Sequence, residues 1–542
     1  MSLALAEEPH QDPHVAFRAD ALDRVEQLVL PYGYPLQVHQ VVTEDGFVLT
    51  LLRMPYGDDS SPTASRTALD AAAAPRTSSS RRRLHGLRGA GAAAAIKTTA
   101  TLQTAAAAST ASTSATARTT ASARTQADSA TRSSTTEDRS EPAAGRAGGS
   151  GAKPSDICQG WLERSHPGRT GAAQRSAGAG AASGSESGGV GAGAGAGGRP
   201  VVFLQHGLLD SAAGFLVNGP GRSLAFLLAD QGYDVWLGNV RGNTLSRTHM
   251  ALEPADVRFW QWSYDEMAQY DLPAMLTYAA CTSGVASLSY LGHSQGTTVI
   301  LAALAGSGGE AGAAPRPPSL PPGLVERAVL LAPVAVAKHI TSVPLLAMAT
   351  LNTDDMFSLL GLHEFLPSDA LVAALEGGLC ALQPYLCVSF LAALCGYNPD
   401  NLDNSRLPLY LSYTPAGTSV QNMAHWAQAV RARAPNSMRL FDFGPDCPNG
   451  RCNQLMYGSL QPPRYNLSAI TTPLAIFSGL QDRMSTPLDL EYLRESLGAG
   501  VVRLATVLEA YEHLDFVWGI DAKEALYDDV MRFLAGPIGP NA

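Results

Sequence analysis

Ser294 could act as a nucleophile, because it stands between two glycines in the stretch LGHSQGTTVI of residues 291–300. A serine hydroxyl attacks a carbonyl carbon only when a base takes its proton and an acid orients that base. The pattern G-x-S-x-G is typical of a tight turn from a strand into a helix, because glycine avoids the Cβ clashes of such a turn. The pattern is short, so a catalytic role for Ser294 can be predicted only if the chain also offers a suitable base and acid.

The base and the acid are expected after Ser294 in the chain, each in a loop that follows a late strand. Asp482 follows the apolar stretch PLAIFS, and His513 follows the stretch VVRLATVL. Two alternatives compete with them. Asp489 lies farther from the strand end, where helix capping is its expected role, and His425 precedes the acid instead of following it. The order and the strand-end positions therefore predict a triad of Ser294, Asp482 and His513.

Attack on an acyl carbonyl also requires two backbone N–H groups that stabilise the oxyanion. One belongs to the residue after the nucleophile, Gln295, and the other to the loop after an earlier strand. The turn at His206-Gly ends such a strand, which makes Leu208 the second donor. The predicted chemistry is nucleophilic attack on an acyl carbonyl with an acyl-enzyme intermediate, which needs no metal and no organic cofactor. No Cys/His spacing in the chain suggests a zinc site either.

Strands that alternate with helices are predicted around all of these residues. A hairpin with its turn at Glu-Asp-Gly is predicted within residues 37–52. Further strands are predicted at 200–206, 233–238, 288–292, 328–333, 473–478 and 501–507, and helices at 223–230, 265–280 and 297–305. This alternation predicts an α/β fold with a mostly parallel central sheet and helices on both faces.

The alternation stops for more than a hundred residues after about the sixth strand, and residues 343–395 are apolar and predicted to be helical. A mainly helical cap inserted there would cover the carboxyl ends of the strands, where open α/β sheets bind ligands. The predicted segments are an N-terminal segment with the hairpin (1–57), a low-complexity insertion (58–199), the first part of the core (200–335), the cap (336–470) and the second part of the core (471–536).

The insertion differs in composition from the rest of the chain. Residues 58–199 contain Ala/Ser/Thr/Gly tracts without apolar periodicity, so we expect disorder. The insertion carries 17 Lys and Arg against 10 Asp and Glu, whereas the whole chain has a net charge of −10. The remaining chain is therefore strongly acidic, which argues against nucleic-acid binding by its folded part.

Longer stretches of the sequence resemble the acid lipase family, which includes gastric lipase, lysosomal acid lipase, and plant and fungal triacylglycerol and steryl ester lipases. The stretches include LPYGYPLQVHQVVTEDGFVLTLLR, FLQHGLLDSA, YLGHSQGTT and HLDFVWG, and they run collinearly through about 29–57 and 200–533. The resemblance implies an α/β-hydrolase fold with a mobile cap, and hydrolysis of lipid esters. It places the family's nucleophile, acid and base on Ser294, Asp482 and His513, and its oxyanion donors on Leu208 and Gln295.

The resemblance also implies two covalent features. The cysteines near 380–395 approximate a family trio whose first two members can be bridged, so Cys380–Cys387 is a candidate disulfide. Asn466 stands in the N-glycosylation sequon and matches a family site. Independently, Cys447 and Cys452 bracket a turn sequence, which is compatible with either a local disulfide or free thiols.

The N-terminus, MSLALAEEPHQDPH, shows no secretory signal, and no apolar run is long enough to span a bilayer. We expect an intracellular protein at a membrane or lipid-droplet surface, or a secretory or vacuolar one if the N-terminus is incomplete. The expected partner is a lipid ester bound by a monomer. The choice between triacylglycerol and steryl ester stays open, as do two other functions: an acyltransferase that uses the same triad, and a lipid-binding protein without turnover.

Overall fold

The structure is a computed structural model. It describes residues 13–57, 158, 198–308, 313–351, 361–366, 395–396, 398–432, 438–447 and 450–537. All of these residues belong to one compact unit. The predicted insertion 58–199 therefore lies outside the described residues, except for Cys158 and residues 198–199.

The described strands are β1 Gln37–Val42, β2 Phe47–Met54, β3 Val201–Gln205, β4 Asp234–Gly238, β5 Thr248–His249, β6 Leu288–His293, β7 Ser307–Gly308, β8 Val325–Leu331, β9 Glu364–Phe365, β10 Thr418–Ser419, β11 Arg464–Tyr465, β12 Leu474–Gly479 and β13 Val502–Leu508. The central sheet has the strand order β1-β2-β4-β3-β6-β8-β12-β13, and β5 pairs with β2 at its side. The predicted hairpin forms β1 and β2, which pair antiparallel with each other, and β2 pairs antiparallel with β4. The neighbouring pairs in the remainder of this sheet, β4-β3, β3-β6, β6-β8, β8-β12 and β12-β13, are all parallel.

The described α-helices alternate with these strands or lie in the cap. They are α1 Pro13–Glu26, α2 Leu224–Asp230, α3 Leu272–Ser283, α4 Gln295–Ala305, α5 Val343–Thr350, α6 Leu407–Tyr413, α7 Val420–Arg431, α8 Asn453–Tyr457, α9 Pro487–Ser496, α10 Asp515–Trp518 and α11 Asp528–Ala535. The helix predicted at 265–280 is divided into a short turn at Tyr264–Glu266, a π-helix at Met267–Asp271 and α3. A second π-helix, Lys523–Tyr527, leads into α11.

Apolar side chains alternate between the two faces of the sheet, and each face has its own core. On β3, Val202 and Leu204 pack with residues of α2 and α11, whereas Val201 and Phe203 pack with residues of α3 and α4. All four are fully buried or nearly so. A strand that is apolar on both faces is typical of a parallel sheet covered by helices on both sides, and the fold predicted from the sequence is confirmed.

The cap interrupts the core between β8 and β12, as predicted, after six strands of the main sheet order. Its described helices are α5 to α8, and its small strands β9 and β10 pair with each other. Most of the stretch 343–395 that was predicted to be helical lies outside the described residues; α5 is at its start.

Two disulfides join described cysteines. Cys447 pairs with Cys452, which settles the choice between disulfide and free thiols that the sequence left open. Cys158 pairs with Cys281 at a sequence separation of 123 residues, and this bond was not expected from the sequence. The candidate pair Cys380–Cys387 lies outside the described residues, so it stays a prediction.

Candidate active site

Ser294 occupies a strained turn between β6 and α4, with φ 52° and ψ −120°. Non-glycine residues adopt a positive φ only where the surrounding structure enforces it. The Ser294 N–H donates to the carbonyl of Leu331, 3.0 Å away. A Cβ on Gly292 would lie 2.7 Å from the Gly296 carbonyl carbon, and a Cβ on Gly296 would lie 2.4 Å from the Gln205 carbonyl oxygen. Both glycines of the G-x-S-x-G pattern are therefore required by close backbone approach.

The side chains of Ser294, His513 and Asp482 form one chain of hydrogen bonds. His513 Nε2 lies 2.7 Å from Ser294 Oγ, and its Nδ1 lies 2.8 and 3.0 Å from the two carboxylate oxygens of Asp482. All three residues are buried. Because the carboxylate accepts the Nδ1 proton, Nε2 is left to accept the serine proton. The structure thus brings the predicted triad together, while the catalytic roles of its members stay predictions.

The loop that carries Asp482 is held by its own backbone. Asp482 Oδ1 accepts from the backbone N–H groups of Met484 and Ser485, each at 2.8 Å. The Ser485 hydroxyl in turn donates to the carbonyl of Pro333, 2.7 Å away, in the loop after β8. These bonds restrain the carboxylate that is hydrogen-bonded to the imidazole, as expected of an orienting acid.

The two alternatives that the sequence offered lie elsewhere. Asp489, near the start of α9, accepts from the backbone N–H of His339 at 2.9 Å and lies 2.7 Å from that residue's Nδ1. His425 lies on α7, where it contacts the Ser263 hydroxyl and the carbonyl of Arg439, each at 3.1 Å. Burial lowers the pKa of His425 to about 3, which keeps this imidazole neutral. Both side chains connect structural elements and neither is hydrogen-bonded to Ser294.

The loop after β3 brings Leu208 against Ser294. A Cβ on Gly207 would come within 2.9 Å of Ser294 Cβ, so only glycine permits this approach. His206 links this loop to the loop after β4. Its Nδ1 donates to the Gly207 carbonyl at 2.8 Å, and its Nε2 accepts from the Val240 N–H at 3.3 Å. Burial lowers the pKa of His206 to about 4, so the imidazole is neutral and can make both bonds. Leu208 and Ser294 line one cavity, as expected of a nucleophile and an oxyanion donor.

The same loop is hydrogen-bonded to residues 414–416 of the cap, between α6 and α7. Leu209 has φ 61°, and its carbonyl accepts from the Ala416 N–H at 2.7 Å. The Asp210 carboxylate accepts from the Ser211 N–H at 2.7 Å and from the Thr414 hydroxyl at 3.1 Å. Burial raises the pKa of Asp210 to about 6. The cap segment therefore helps to hold the strained part of this loop.

His293 is a residue of the site that the sequence analysis missed. Its Nε2 donates to the backbone carbonyl of His513 at 3.0 Å, and its ring centroid lies 5.1 Å from that of His513. Burial lowers the pKa of His293 to about 3, so this donor is a neutral imidazole. His293 is the first variable position of G-x-S-x-G, and no sequence pattern marks which partner a residue there will find. It supports the backbone that carries the predicted base.

An apolar cavity that is partly open to solvent lies beside Ser294. Among the described residues, its lining comes from the loops after β3, β6, β8 and β12 and from α5 and α7. The lining residues are Leu208, Ser294, Val334, Ala337, Ile340, Leu345, Met348, Ala349, Met423, Trp426, Ala427, Val430 and Met484. Every one of them except Ser294 has an apolar side chain or, for Trp426, a largely apolar one. A cavity of this kind suits an aliphatic chain.

Two carboxyl groups next to His513 in the chain have raised pKa values. Partial burial raises the pKa of Glu512 to about 7, and burial raises that of Asp515 to about 6. The Glu512 N–H donates to Asp515 Oδ2 at 2.8 Å, which ties the two residues together. A fraction of these groups is therefore protonated near neutral pH, and the loop carries less negative charge than its sequence implies.

The described residues contain no group of three or more His, Cys, Asp or Glu side chains placed to hold a metal ion. None of the helices formed by these residues is long and apolar enough to cross a bilayer. Asn466 is exposed, and its Oδ1 accepts from the Ser468 hydroxyl at 2.7 Å, but its glycosylation stays a prediction.

Comparisons with known proteins agree with this fold. The family model described as "alpha/beta hydrolase fold" matches residues 200–520, and the model "Partial alpha/beta-hydrolase lipase region" matches residues 25–82. The first of these matches covers more than half of the chain. The N-terminal match contains the hairpin β1–β2, which places the segment before the insertion in the same family of proteins as the core.

Curated relatives narrow the class. The chain is 39% identical over 343 residues to human gastric triacylglycerol lipase, which is 62% of this chain and 80% of that protein. It is 40% identical over 338 residues to human lipase member K, at 61% and 79% coverage, and 38% identical over 341 residues to human lysosomal acid lipase/cholesteryl ester hydrolase, at 62% and 79%. The chain therefore belongs to the α/β-hydrolase fold family and, within it, to the acid lipases. Proteins of this class are serine carboxylic ester hydrolases, and the resemblance predicted from the sequence is confirmed.

Proposed function

We propose that this protein hydrolyses carboxylic esters of lipids through Ser294, His513 and Asp482, with an acyl-enzyme intermediate. The observation that carries the proposal is the buried chain of hydrogen bonds from Asp482 through His513 to Ser294, which ends at the apolar cavity. A nucleophile and a base alone would not define a substrate. The apolar lining adds that definition, because it can bury an acyl chain.

In the first half of the reaction, His513 Nε2 takes the hydroxyl proton while Ser294 Oγ forms a bond to the ester carbonyl carbon. The Asp482 carboxylate stabilises the resulting imidazolium and keeps its proton on Nδ1. The backbone N–H groups of Leu208 and Gln295 donate to the tetrahedral oxyanion. His513 then gives its proton to the leaving alcohol oxygen, the ester C–O bond breaks, and the acyl group stays on Ser294.

In the second half, water attacks the acyl-enzyme while His513 accepts one of its protons. Collapse of the second tetrahedral intermediate returns the proton to Ser294 Oγ and releases the carboxylic acid. The names of the relatives include both a triacylglycerol lipase and a cholesteryl ester hydrolase. We propose lipid esters of one or both of these alcohols as substrates, with the acyl chain in the cavity between α5 and α7.

A panel of esters tests the proposal: p-nitrophenyl butyrate and palmitate, trioleoylglycerol and cholesteryl oleate, each with the wild type and Ser294→Ala. We expect the substitution to lower kcat by about 10⁴-fold or more on every ester that the wild type hydrolyses. Thermal unfolding should show that the variant is folded. Full activity of Ser294→Ala would refute the nucleophile.

Product analysis separates hydrolysis from acyl transfer, which the same triad would also support. With a radiolabelled acyl donor and an added lipid alcohol, we expect the label in free fatty acid. Label mainly in a new ester would identify an acyltransferase, and a wild type that turns over none of the four esters would favour a lipid-binding protein.

A further inference from the structure

The side chain of Gln295 has no task in this mechanism, which uses only its backbone N–H. The residue is nevertheless buried, and its Oε1 accepts two hydrogen bonds from the cap helix α7. Asn422 Nδ2 donates at 2.9 Å and Trp426 Nε1 donates at 2.7 Å. On the opposite side of the amide, Gln295 Nε2 points to Met267 Sδ at 3.5 Å. The residue after the nucleophile is thus bonded to the cap and to the core at once.

The two donors on α7 are themselves held in place. The Asn422 N–H donates to Ser419 Oγ at 2.9 Å, and the Ser419 hydroxyl donates to the carbonyl of Trp262 at 2.6 Å. The centroid of the Trp426 ring lies 5.2 Å from that of the Tyr264 ring, and Trp426 forms part of the cavity wall. Both donors are therefore held by contacts besides those to Gln295. Their hydrogen bonds can for this reason fix the orientation of the Gln295 side chain.

The cap segment that precedes α7 also contacts the loop of the second expected oxyanion donor, Leu208. The Ala416 N–H donates to the Leu209 carbonyl at 2.7 Å, next to Leu208. Residues 416–426 thus touch the loop of each predicted oxyanion donor. Oxyanion stabilisation depends on donors held within a few tenths of an ångström, so support of this kind bears directly on the rate.

We propose that Asn422 and Trp426 are positioning residues: through Gln295 Oε1 they hold the oxyanion N–H of Gln295 and the Trp426 wall of the cavity in one arrangement. When α7 makes these two bonds, the Gln295 N–H is held in the position where it can donate to the oxyanion. The inference rests on the proposed function, because it assigns a role to residues around that site. Neither residue touches the reacting atoms, so neither is catalytic itself.

The main test is Trp426→Phe, which keeps an aromatic ring in the cavity wall and removes the Nε1–H donor. Asn422→Leu removes the other donor at similar size. Gln428→Ala is the matched control, because Gln428 also lies on α7 and makes two hydrogen bonds, but to the backbone of Asp442 instead of to Gln295. Each protein is assayed with p-nitrophenyl butyrate and palmitate, and for its rate of labelling by a short-chain fluorophosphonate.

We expect kcat to fall about 10-fold in Trp426→Phe and in Asn422→Leu on both esters, with KM for the butyrate within about twofold of wild type. The labelling rate should fall by a similar factor, because the phosphoryl oxygen uses the same N–H groups. Because both bonds converge on one oxygen, the double variant should lose less than the product of the two factors. Gln428→Ala should change none of these values by more than about twofold.

A different pattern would overturn the proposal. If Trp426→Phe leaves kcat on the butyrate unchanged and alters only the palmitate, Trp426 is merely cavity wall. Equal losses in Gln428→Ala would show a general effect of α7 stability. If Asn422→Leu fails to fold, the smaller change Trp426→Phe still decides. Failure of the proposed function itself is separate, because a wild type that is not labelled at Ser294 would show it.

Discussion

The sheet edge and the cap helices line the same cavity, but they hold their side chains in different ways. At the sheet edge, Ser294 and Leu209 have positive φ angles, and the polar atoms of Asp482 and His513 are hydrogen-bonded to specific partners. Helices α5 and α7 contribute almost only carbon to the cavity. Two hydrogen bonds also run from α7 to the Gln295 side chain, one from Asn422 and one from Trp426.

The difference follows from what each side has to do. Proton transfer and oxyanion stabilisation depend steeply on distance and direction, so the groups that perform them lie at strand ends in a rigid sheet. Burial of an acyl chain is non-directional and depends mainly on the apolar area removed from water. Substitutions at the sheet edge should therefore lower kcat for all substrates, and so should loss of the two bonds from α7 to Gln295. Substitutions of cap residues that only line the cavity should act according to chain length.

The largest effect is expected from Asp482→Asn, because the amide cannot hold the Nδ1–H tautomer of His513 as the carboxylate does. We expect kcat to fall about 10⁴-fold on short and long esters alike. The measurement is steady-state kinetics on the butyrate and the palmitate. Asp489→Asn is the control: Asp489 binds His339 and is not hydrogen-bonded to the triad, so its variant should keep kcat within about threefold. Equal losses in the two variants would contradict the assignment of the acid.

An intermediate effect is expected where the cavity is filled from the cap side. Ala427→Phe places a ring in the lining from α7. If it excludes about three methylenes at about 0.8 kcal/mol each, kcat/KM for the palmitate should fall about 50-fold, while the butyrate should change by less than about threefold. The same substitution at the exposed Ala347 on α5 should leave both values near wild type. An equal loss on both esters would show that Ala427→Phe disturbs the catalytic geometry instead of shortening the space for the acyl chain.

The smallest effect concerns stability and not rate. Burial lowers the pKa of His425 to about 3, whereas an unfolded chain binds the proton near 6.5. The unfolded state therefore binds more protons between these values, and His425 lowers the free energy of unfolding as pH falls below about 6.5. Relative to wild type, His425→Gln should gain about 2 kcal/mol of stability between pH 7 and pH 4.5, as measured by urea unfolding at both pH values.

A partly exposed histidine provides the control for that measurement. The pKa of His39 is also lowered by burial, but this residue is only partly buried. His39→Gln should therefore show a smaller change in relative stability over the same pH range. If the difference between His425→Gln and wild type does not depend on pH, His425 does not keep its neutral form in the folded protein.

Much of the core could be predicted because its signals are local. Apolar stretches such as PLAIFS form buried strands wherever a sheet accepts them, and G-x-S-x-G requires its turn through its own glycines. Parallel strands bring their carboxyl ends to one edge, so the order of Ser294, Asp482 and His513 was enough to expect that they meet. Their meeting follows from topology, although nearly 220 residues separate Ser294 from His513.

Other contacts could not be predicted because nothing in the local sequence encodes them. The bond from His293 to the His513 carbonyl, the two bonds to Gln295 Oε1 and the Cys158–Cys281 disulfide each join residues far apart in the chain. The alternatives Asp489 and His425 show the same limit: each is a residue of suitable type whose partners only the fold reveals.

The amino-acid sequence by itself determined the α/β class, the strand ends and the residue types that gather at them, because hydrophobic period and turn chemistry act over a few neighbouring residues. Only the tertiary structure decided how α5 and α7 pack beside Ser294 and which polar atoms of the cap bond to Gln295. Those choices depend on the shapes that remain after the sheet and helices have packed, and on the need to satisfy every buried donor and acceptor at once.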